Sequence, residues 1–454
     1  MDFSKLAKSL NPYTIKKGFS YLKQYGFQEF KVRLSERFEK EEVDYNEWCK
    51  NDILTAEERK VQRERIWEYP PLISVVVPIY KTPEVFLRQM IESVTAQTYP
   101  HWQLCIADGS GDTAETKRIV DSYLSDKRIK YKILAENLGI ADNTNAAMEL
   151  ADGDYIALFD HDDLLSENAL YEVADRICKT GAEIVYTDED KVTSDLSERY
   201  QPNFKPDFNL DLLRSNNYIC HLLVVKKTLV QEVGGQKKEF DGAQDYDFIF
   251  RCVEQAREVV HVPEILYHWR THKASTADNP ASKMYAFEAG RRAIEAHLKR
   301  MGVEGEVSHT PDLGFFRVKY PVHGEPMVSI IIPNKDHIDD LKRCIDSIEA
   351  KSTYTNYEYI IVENNSEEKE TFAYYEQLEA VNPKVHVVYY KGHFNYSAIN
   401  NFGVQYAKGE YFLLLNNDTE IINDDCLEEL LGYCTREDVG AVGARLYYED
   451  DTIQ

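Results

Sequence analysis

Short runs of β-branched and apolar residues alternate along this chain with longer stretches whose apolar positions recur at helical spacing. Residues 73–77 (Ile-Ser-Val-Val-Val) are apolar on both faces apart from Ser74, which predicts a strand covered on both sides and closed by Pro78-Ile-Tyr. Thr82 offers an N-cap with Pro83 at the first helical position, and Phe86, Leu87, Met90, Ile91 and Val94 make one apolar face behind it. A second strand, 103–107, runs into Asp108-Gly-Ser-Gly-Asp, and Thr116, Ile119, Val120 and Tyr123 mark a second helix. Strand 129–134 leads through Asn137-Leu-Gly-Ile to a third helix ending at Ala151, and 155–159 predicts a fourth doubly buried strand. Ser166 is the expected cap of a helix through Lys179, followed by strand 183–187. Residues 193–217, rich in Asn, Pro and Asp, form an irregular stretch whose length points to function; strand 218–225 and a helix opened by Gln244-Asp-Tyr-Asp come next. A last helix runs over 282–300. Strands alternating with helices of this length predict right-handed crossovers and an α/β fold on a mostly parallel sheet.

The pattern then begins again. Val328-Ser-Ile-Ile-Ile-Pro repeats Ile73-Ser-Val-Val-Val-Pro, Glu363-Asn-Asn-Ser repeats Ala107-Asp-Gly-Ser, and residues 408–418 repeat 152–162. The offset is 255 residues from Pro78 to Pro333 and 256 from Asp162 to Asp418, a drift too small for coincidence. The expected organisation is a helical extension and connector over 1–69, one module over 70–302, a linker over 303–327, and the first half of a second module over 328–454. Counterparts of Asp245 and His272 would fall near positions 500 and 528, past Gln454, so the second copy is expected to be truncated and to bind at most a nucleotide.

Charge and cysteine content narrow the class. A net charge of −25 opposes a nucleic-acid surface, which needs clustered Lys and Arg, and suits an enzyme whose anionic ligand brings its own cation. The 8 Cys are scattered without zinc spacing, and no apolar run is long enough to span a bilayer, which fits a reducing, cytoplasmic setting. Residues 1–33 hold seven Lys or Arg against two acidic residues, interleaved with aromatics, a composition that suits peripheral contact with an anionic membrane surface or a packed helical extension.

The candidate chemistry gathers at Asp152–Asp163, where strand 155–159 ends in Asp-His-Asp-Asp. Ligands of open α/β sheets bind beyond the carboxyl ends of the strands, so Asp160 and Asp162 are expected in a cleft, on one side, as a pair suited to a divalent cation. A calcium loop of EF-hand type would need an oxygen ligand and then Gly where Leu164 and Leu165 stand. For Asp245 and Asp247 the alternative to catalysis is an acidic first helical turn favoured by the helix dipole.

Residues 73 to about 300, with Phe-Asp-His-Asp-Asp, Gln-Asp-Tyr-Asp and Tyr-His-Trp-Arg in order, resemble the inverting family 2 glycosyltransferases of the GT-A nucleotide-diphospho-sugar fold. With the second, incomplete copy and its Asn-Asn-Phe-Gly-Val run, the chain is similar to tandem bacterial enzymes of surface polysaccharide or O-antigen synthesis. The resemblance implies a nucleotide-sugar donor, a glycan or lipid-linked acceptor, and Mn²⁺ or Mg²⁺. It implies that Asp108 meets the nucleotide base with Tyr80 packing on it beside Pro78, that Asn137 and Asp160 belong to the donor site, and that Asp160 and Asp162 serve the metal. Asp245 matches the base that takes the acceptor's proton, with Asp247 as its understudy, and His272 matches a metal or diphosphate contact, with His268 as rival. Thr144, before Asn145, stands where many relatives carry an Arg, so Arg270 or Lys273 is expected to help with the diphosphate. In the second copy the base carboxylate is expected to become Asn364 and the first metal-side Asp to become Asn416. A nucleotidyltransferase would need a Gly-rich, basic loop after the first strand, which Pro78-Ile-Tyr-Lys-Thr is not; a non-catalytic nucleotide-sugar-binding module and a fragment of a bifunctional polymerase are the other readings.

Overall fold

The computed structural model describes residues 44–111, 114–272 and 284–454, together with positions 22, 27 and 30. The basic aromatic stretch 1–33 therefore lies almost wholly outside the described residues, as does Lys273. Two compact units divide the chain, Met1–Ala293 and Ile294–Gln454.

In the first unit, β1 (Ile73–Ile79) and β2 (Trp102–Asp108) are buried at every position, as strands covered on both faces must be. They pair in parallel with each other, β3 (Ile129–Ile133) pairs with β2, and β4 (Tyr155–Leu158) with β1. Val75, Val77, Leu104, Ile106 and Ala157 pack against Leu87, Met90, Ile91 and Val94 of the helix Glu84–Thr95. That helix starts one residue later than its pattern predicts: Pro83 itself is extended, with φ −56° and ψ 139°, and takes the cap position, leaving the Thr82 hydroxyl buried without a partner. Ser166 likewise caps nothing: its hydroxyl is 3.1 Å from the Ile265 carbonyl, and the helix Ala169–Thr180 begins after Asn168.

Beyond β4 the expectation of a mostly parallel sheet gives way to a mixed one. The sheet has nine strands, ordered β3-β2-β1-β4-β8-β6-β9-β5, with β7 (Arg199–Asn203) beside β6 (Ile184–Thr193). β8 (Leu223–Lys226) runs antiparallel to both β4 and β6, β5 (Leu164–Leu165) antiparallel to β9 (Val259–Thr271), and only β6 and β9 pair in parallel. The stretch 193–217 is less irregular than its composition suggests, since it holds β7 and the helix Leu210–Ser215. From that helix to β8 the chain is too short to recross the sheet, so β8 enters from the near edge and must run antiparallel.

The second unit begins within the helix Met284–Met301, and a hairpin follows, β10 (Glu306–His309) and β11 (Phe316–Lys319), in the stretch expected to be a linker. A four-stranded parallel sheet follows, in the order β14-β13-β12-β15, from β12 (Val328–Asn334), β13 (Tyr357–Glu363), β14 (Val385–Tyr389) and β15 (Tyr411–Leu414). It reproduces β3-β2-β1-β4 strand for strand, so the repeat seen in the sequence is a repeat of structure.

One glycine in each unit shows why. Gly153 donates its N–H to Ser74 Oγ at 2.9 Å, and Gly409 donates to Ser329 Oγ at 2.9 Å. A Cβ at Gly153 would lie 2.5 Å from both the Leu72 carbonyl oxygen and Ser74 Oγ. Gly153→Ala is expected to cost about 1–3 kcal/mol, the usual toll of forcing a methyl group into a closed contact. Gly440→Ala, at a site with open space around it, is expected to stay within about 0.5 kcal/mol of wild type. Urea unfolding followed by far-UV circular dichroism, which reports on both units, separates the two, and equal midpoints would refute the close-approach argument.

Candidate active site

The acidic turn is aimed by two strand pairings. Phe159 N–H bonds the Val76 carbonyl at 3.2 Å, which carries β4 to the rim of β1, and pairing of Leu164 with His268 and Leu165 with Tyr267 lays the end of β9 beside Asp160–Asp163. Asp162 Oδ2 then stands 2.8 Å from His272 Nε2, and Asp160 Oδ2 stands 3.6 Å from His221 Nε2. Asp163 is buried and accepts from the Tyr267 hydroxyl and, at 2.7 Å, from the Arg270 N–H. Burial pushes the Asp163 carboxyl well above the usual carboxylate range, and the charges of Asp162 and Asp160 push it further. The turn is thus anchored by its third aspartate and presents its first two. Among the described residues no three His, Cys, Asp or Glu side chains close into a metal cage; Asp162 meets His272, whereas Asp160 faces His221.

Asp245 lies in the first turn of the helix Gln244–Val253 and receives a hydrogen bond from Asn217 Nδ2 on Oδ2, at 2.8 Å. Burial raises its pKa, His221 opposes the rise, and the negative charge of Asp160 adds to it. Asp160, His221 and Asp245 therefore share one electrostatic environment although their chain positions span three elements. Asp247 is fully buried and holds Arg251 Nε at 2.8 Å, which makes it a structural ion pair of the helix interior.

The other residues singled out by sequence fall into place around the sheet's carboxyl ends. Pro78 is buried inside β1, and Tyr80, just past the strand, is 42 % exposed with Lys81 Nζ 5.1 Å from its ring centre. Asp108 has no exposure; it accepts from Ser110 N–H at 2.8 Å and from the Tyr131 hydroxyl at 2.6 Å, which fixes the turn leaving β2. Asn137 closes against that turn, its Oδ1 accepting from Asn143 Nδ2 at 2.8 Å. Asn145 clamps the Gln236 backbone, with both bonds at 2.8 Å, and Thr144 bonds the Ile140 carbonyl at 2.8 Å. His268 is turned inward, 2.6 Å from Asp190 Oδ1 and 2.9 Å from Ser166 Oγ, so of the two candidate histidines His272 is the one at Asp162. Arg270 corrects the expectation that it meets a diphosphate: it is enclosed, with Nε on the Asp162 carbonyl at 2.6 Å and Nη1 on the Ser194 carbonyl at 2.9 Å.

The second unit brings a further correction. Strand register pairs Ile79 with Asp108 in the first unit and Asn334 with Glu363 in the second, so Glu363 is the counterpart of Asp108, and Asn364 that of Gly109. The bonds agree. Glu363 accepts from Ser366 N–H at 2.6 Å and from the Tyr375 hydroxyl at 2.9 Å, as Asp108 does from Ser110 and Tyr131. One residue is inserted before the serine, and the extra methylene of glutamate reaches across the wider turn.

Comparison with known proteins accords with this doubling. The model of Glycosyl transferase family 2 matches residues 74–233 and again 329–454. The chain belongs to glycosyl transferase family 2. A relative from Sinorhizobium fredii, named uncharacterized protein y4gI, is 43 % identical over 389 residues, which cover 85 % of this chain and 43 % of that protein. The O-antigen biosynthesis protein RfbC of Myxococcus xanthus is 37 % identical over 417 residues, covering 91 % of this chain and 32 % of RfbC. This family 2 chain thus spans less than half the length of either relative. Among solved structures, S. aureus TarS 1–349 in complex with UDP is similar over 50 % of this chain and 65 % of its own, with 19 % identity and a TM-score of 0.41.

Three contributors to the site escape sequence reasoning. Asn217, His221 and the Tyr267–Asp163 bond arise from strand order, and the only local hint is the Asn-Asn before strand 218–225. Asp190 is the fourth surprise: with its side chain fully buried it binds Tyr45 OH at 2.7 Å, Arg199 Nε at 2.6 Å and His268 Nδ1 at 2.6 Å, tying the helix Tyr45–Asn51 to β7 and β9. Burial alone would raise its pKa, but His268 and Arg199 hold it below the usual range. A depressed carboxylate contributes stability above its unfolded pKa and loses it as pH falls. Asp190→Asn is therefore expected to cost about 3–5 kcal/mol at neutral pH, as for breaking a buried pair. The gap to wild type should narrow once pH drops below about 4. Thermal melts at neutral and acidic pH measure both; a gap that does not change with pH would contradict the assignment.

Proposed function

We propose that the first unit transfers a sugar from a nucleotide-diphosphate sugar to a glycan or lipid-linked acceptor during synthesis of a bacterial surface polysaccharide. The observation that carries this reading is that His221 stands 3.6 Å from Asp160 while the charges of both reach the buried Asp245, beside the Asp162–His272 contact on the same turn. Family membership and the O-antigen name of the Myxococcus relative support the reaction class and the pathway type.

Transfer with inversion is a single displacement. The acceptor oxygen attacks the anomeric carbon as its proton passes to the Asp245 carboxylate, and the bond from that carbon to the diphosphate breaks, its electron pair leaving with the nucleoside diphosphate. A carboxylate whose pKa is raised by burial is a stronger base than a surface aspartate. The donor's nucleotide is assigned to the Tyr80 and Asn137 side of the sheet, where Asp108, enclosed and bonded to Ser110 and Tyr131, acts by holding the turn.

The residues fit a divalent cation of the Mn²⁺ or Mg²⁺ type. Two donors, Asp162 and His272, stand in contact, Asp160 lies two residues before Asp162 with its side chain half exposed, and hard cations of this kind take one or two protein carboxylates and complete their shell from phosphates and water. Such an ion, when bound, would act as Lewis acid on the diphosphate leaving group. Asp163 and Arg270 keep the turn in place for it. Residues 1–33 are proposed to rest on the inner face of the membrane; among the described residues no helix is long and apolar enough to cross one.

Calorimetry with UDP, dTDP and GDP in the presence of Mn²⁺ tests the donor site. Asp162→Ala is expected to abolish the metal-dependent part of binding, and an affinity that ignores both this change and a chelator would remove the metal from the scheme. Asp245→Asn is expected to keep donor affinity and to lose about 10²- to 10⁴-fold in turnover of nucleotide sugars. Full activity in Asp245→Asn with a crippled Asp247→Asn would move the base to the other aspartate.

A further inference from the structure

The base has two oxygens, and its neighbours distinguish them. Asn217 Oδ1 accepts from the Cys220 N–H at 3.4 Å, so the oxygen end of this amide faces the backbone and its NH₂ end faces Asp245 Oδ2 at 2.8 Å. An amide NH₂ only donates, so Oδ2 has to remain an acceptor; a proton placed there would meet the hydrogens of Nδ2. The structure assigns Asn217 as the positioning residue of the active site: it holds Asp245 so that Oδ1, and not Oδ2, takes the proton of the incoming hydroxyl. This rests on the reading of Asp245 as the base.

The clamp is itself fixed at both ends. Asn217 follows the C-cap Asn216, whose N–H bonds the Leu212 carbonyl at 2.9 Å, and the Tyr246 hydroxyl donates to the Leu213 carbonyl. The helix Leu210–Ser215 is therefore bolted to the helix that carries Asp245. On the other side of Asn217, Lys205 Nζ donates to the carbonyls of Ile219, at 2.8 Å, and His221, with Glu189 3.3 Å away as its counter-ion. Swinging Asp245 about its side-chain bonds would break a bond whose donor has nowhere to follow. The groups whose fields reach Asp245 are His221, which favours its charge, and Asp160, which opposes it; the Tyr246 N–H also favours the carboxylate, and the charge of Asp245 in turn bears on the Cys220 thiol.

Two consequences differ from those of a residue that only supports the fold. Losing the NH₂ group removes a hydrogen bond to the ionised carboxylate, so the acid limb of the pH–kcat profile moves to higher pH. It also frees the carboxylate to rotate, and misplacement of a reacting group on this scale costs up to about 10²-fold in rate. Donor KM is expected to stay unchanged, because the donor lies on the other side of the reacting carbon.

The experiment uses the full chain and whichever of the UDP-, dTDP- and GDP-sugars the wild type cleaves, with release of nucleoside diphosphate followed from acid to neutral pH. Asn217→Ala should lower kcat about 10- to 100-fold, with an unchanged donor KM and an acid limb shifted upward. Asn217→Ser, which keeps a donor hydroxyl, should fall between Asn217→Ala and wild type on both readouts and serves if the alanine variant fails to fold. Variants that melt earlier but keep the wild-type acid limb would overturn the assignment and leave Asn217 a fold residue. Undiminished turnover in Asp245→Asn would instead bring down the base reading itself, which separates the two failures.

Discussion

Like charges gathered at the carboxyl end of one sheet are the constraint on which the first unit depends. Two unit charges about 4 Å apart repel by roughly 4 kcal/mol at the effective dielectric of a protein surface, so a turn such as Asp160–Asp163 will open unless something holds it. The chain answers each carboxylate differently. Asp163 is drawn inside and given the Tyr267 hydroxyl and a backbone N–H. Arg270, wholly enclosed, brings a cation behind the turn and fastens it through the Asp162 carbonyl. Asp160 and Asp162 receive histidines, which donate or accept according to protonation and so leave these two free to change partners.

The same constraint explains how the two halves of the sheet divide the work. The parallel half, β1 to β4, is an apolar slab whose strand ends are set by register alone, and it positions the turn. The mixed half supplies everything that faces the turn: β9 brings Tyr267, Arg270 and His272, the approach to β8 brings Asn217 and His221, and the helix behind them brings Asp245. A purely parallel sheet would have carried the chain away from the site at each crossover. Antiparallel entry of β8 beside β4 keeps residues 217–222 at the carboxyl edge, next to the carboxylates.

How much of this was legible before folding follows from the range of each interaction. The strands of the parallel half are visible because burial on both faces leaves a continuous apolar run, and the acidic turn is visible because four ionisable residues crowd the end of one such run. Asp245 stood out only through its family resemblance, since a first-turn aspartate is otherwise ordinary. Beyond the Asn-Asn pair at 216–217, Asn217 and His221 left no mark, because their meaning lies in partners far along the chain. Thr82 and Ser166 misled for a related reason: both have the chemistry of a cap, but Pro83 displaced one and a bond across the sheet recruited the other.

The second unit shows where sequence alignment and structure part company. Counting from the serines matches Asp108 with Asn364 and suggests a lost carboxylate, whereas counting from the strands matches it with Glu363 and keeps the charge. Backbone pairing decides, because a strand cannot slip by one residue without turning every side chain to the other face of the sheet. The inserted residue therefore has to be absorbed in the turn, and a longer acid on the strand meets the displaced serine through its N–H and, at 2.5 Å, its hydroxyl, while its tyrosine partner comes from the helix Lys369–Val381 and not from the neighbouring strand. What both units share is a buried carboxylate that holds the turn after the second strand by a serine N–H and a tyrosine hydroxyl, although the turn length, the acid and the element that brings the tyrosine all differ.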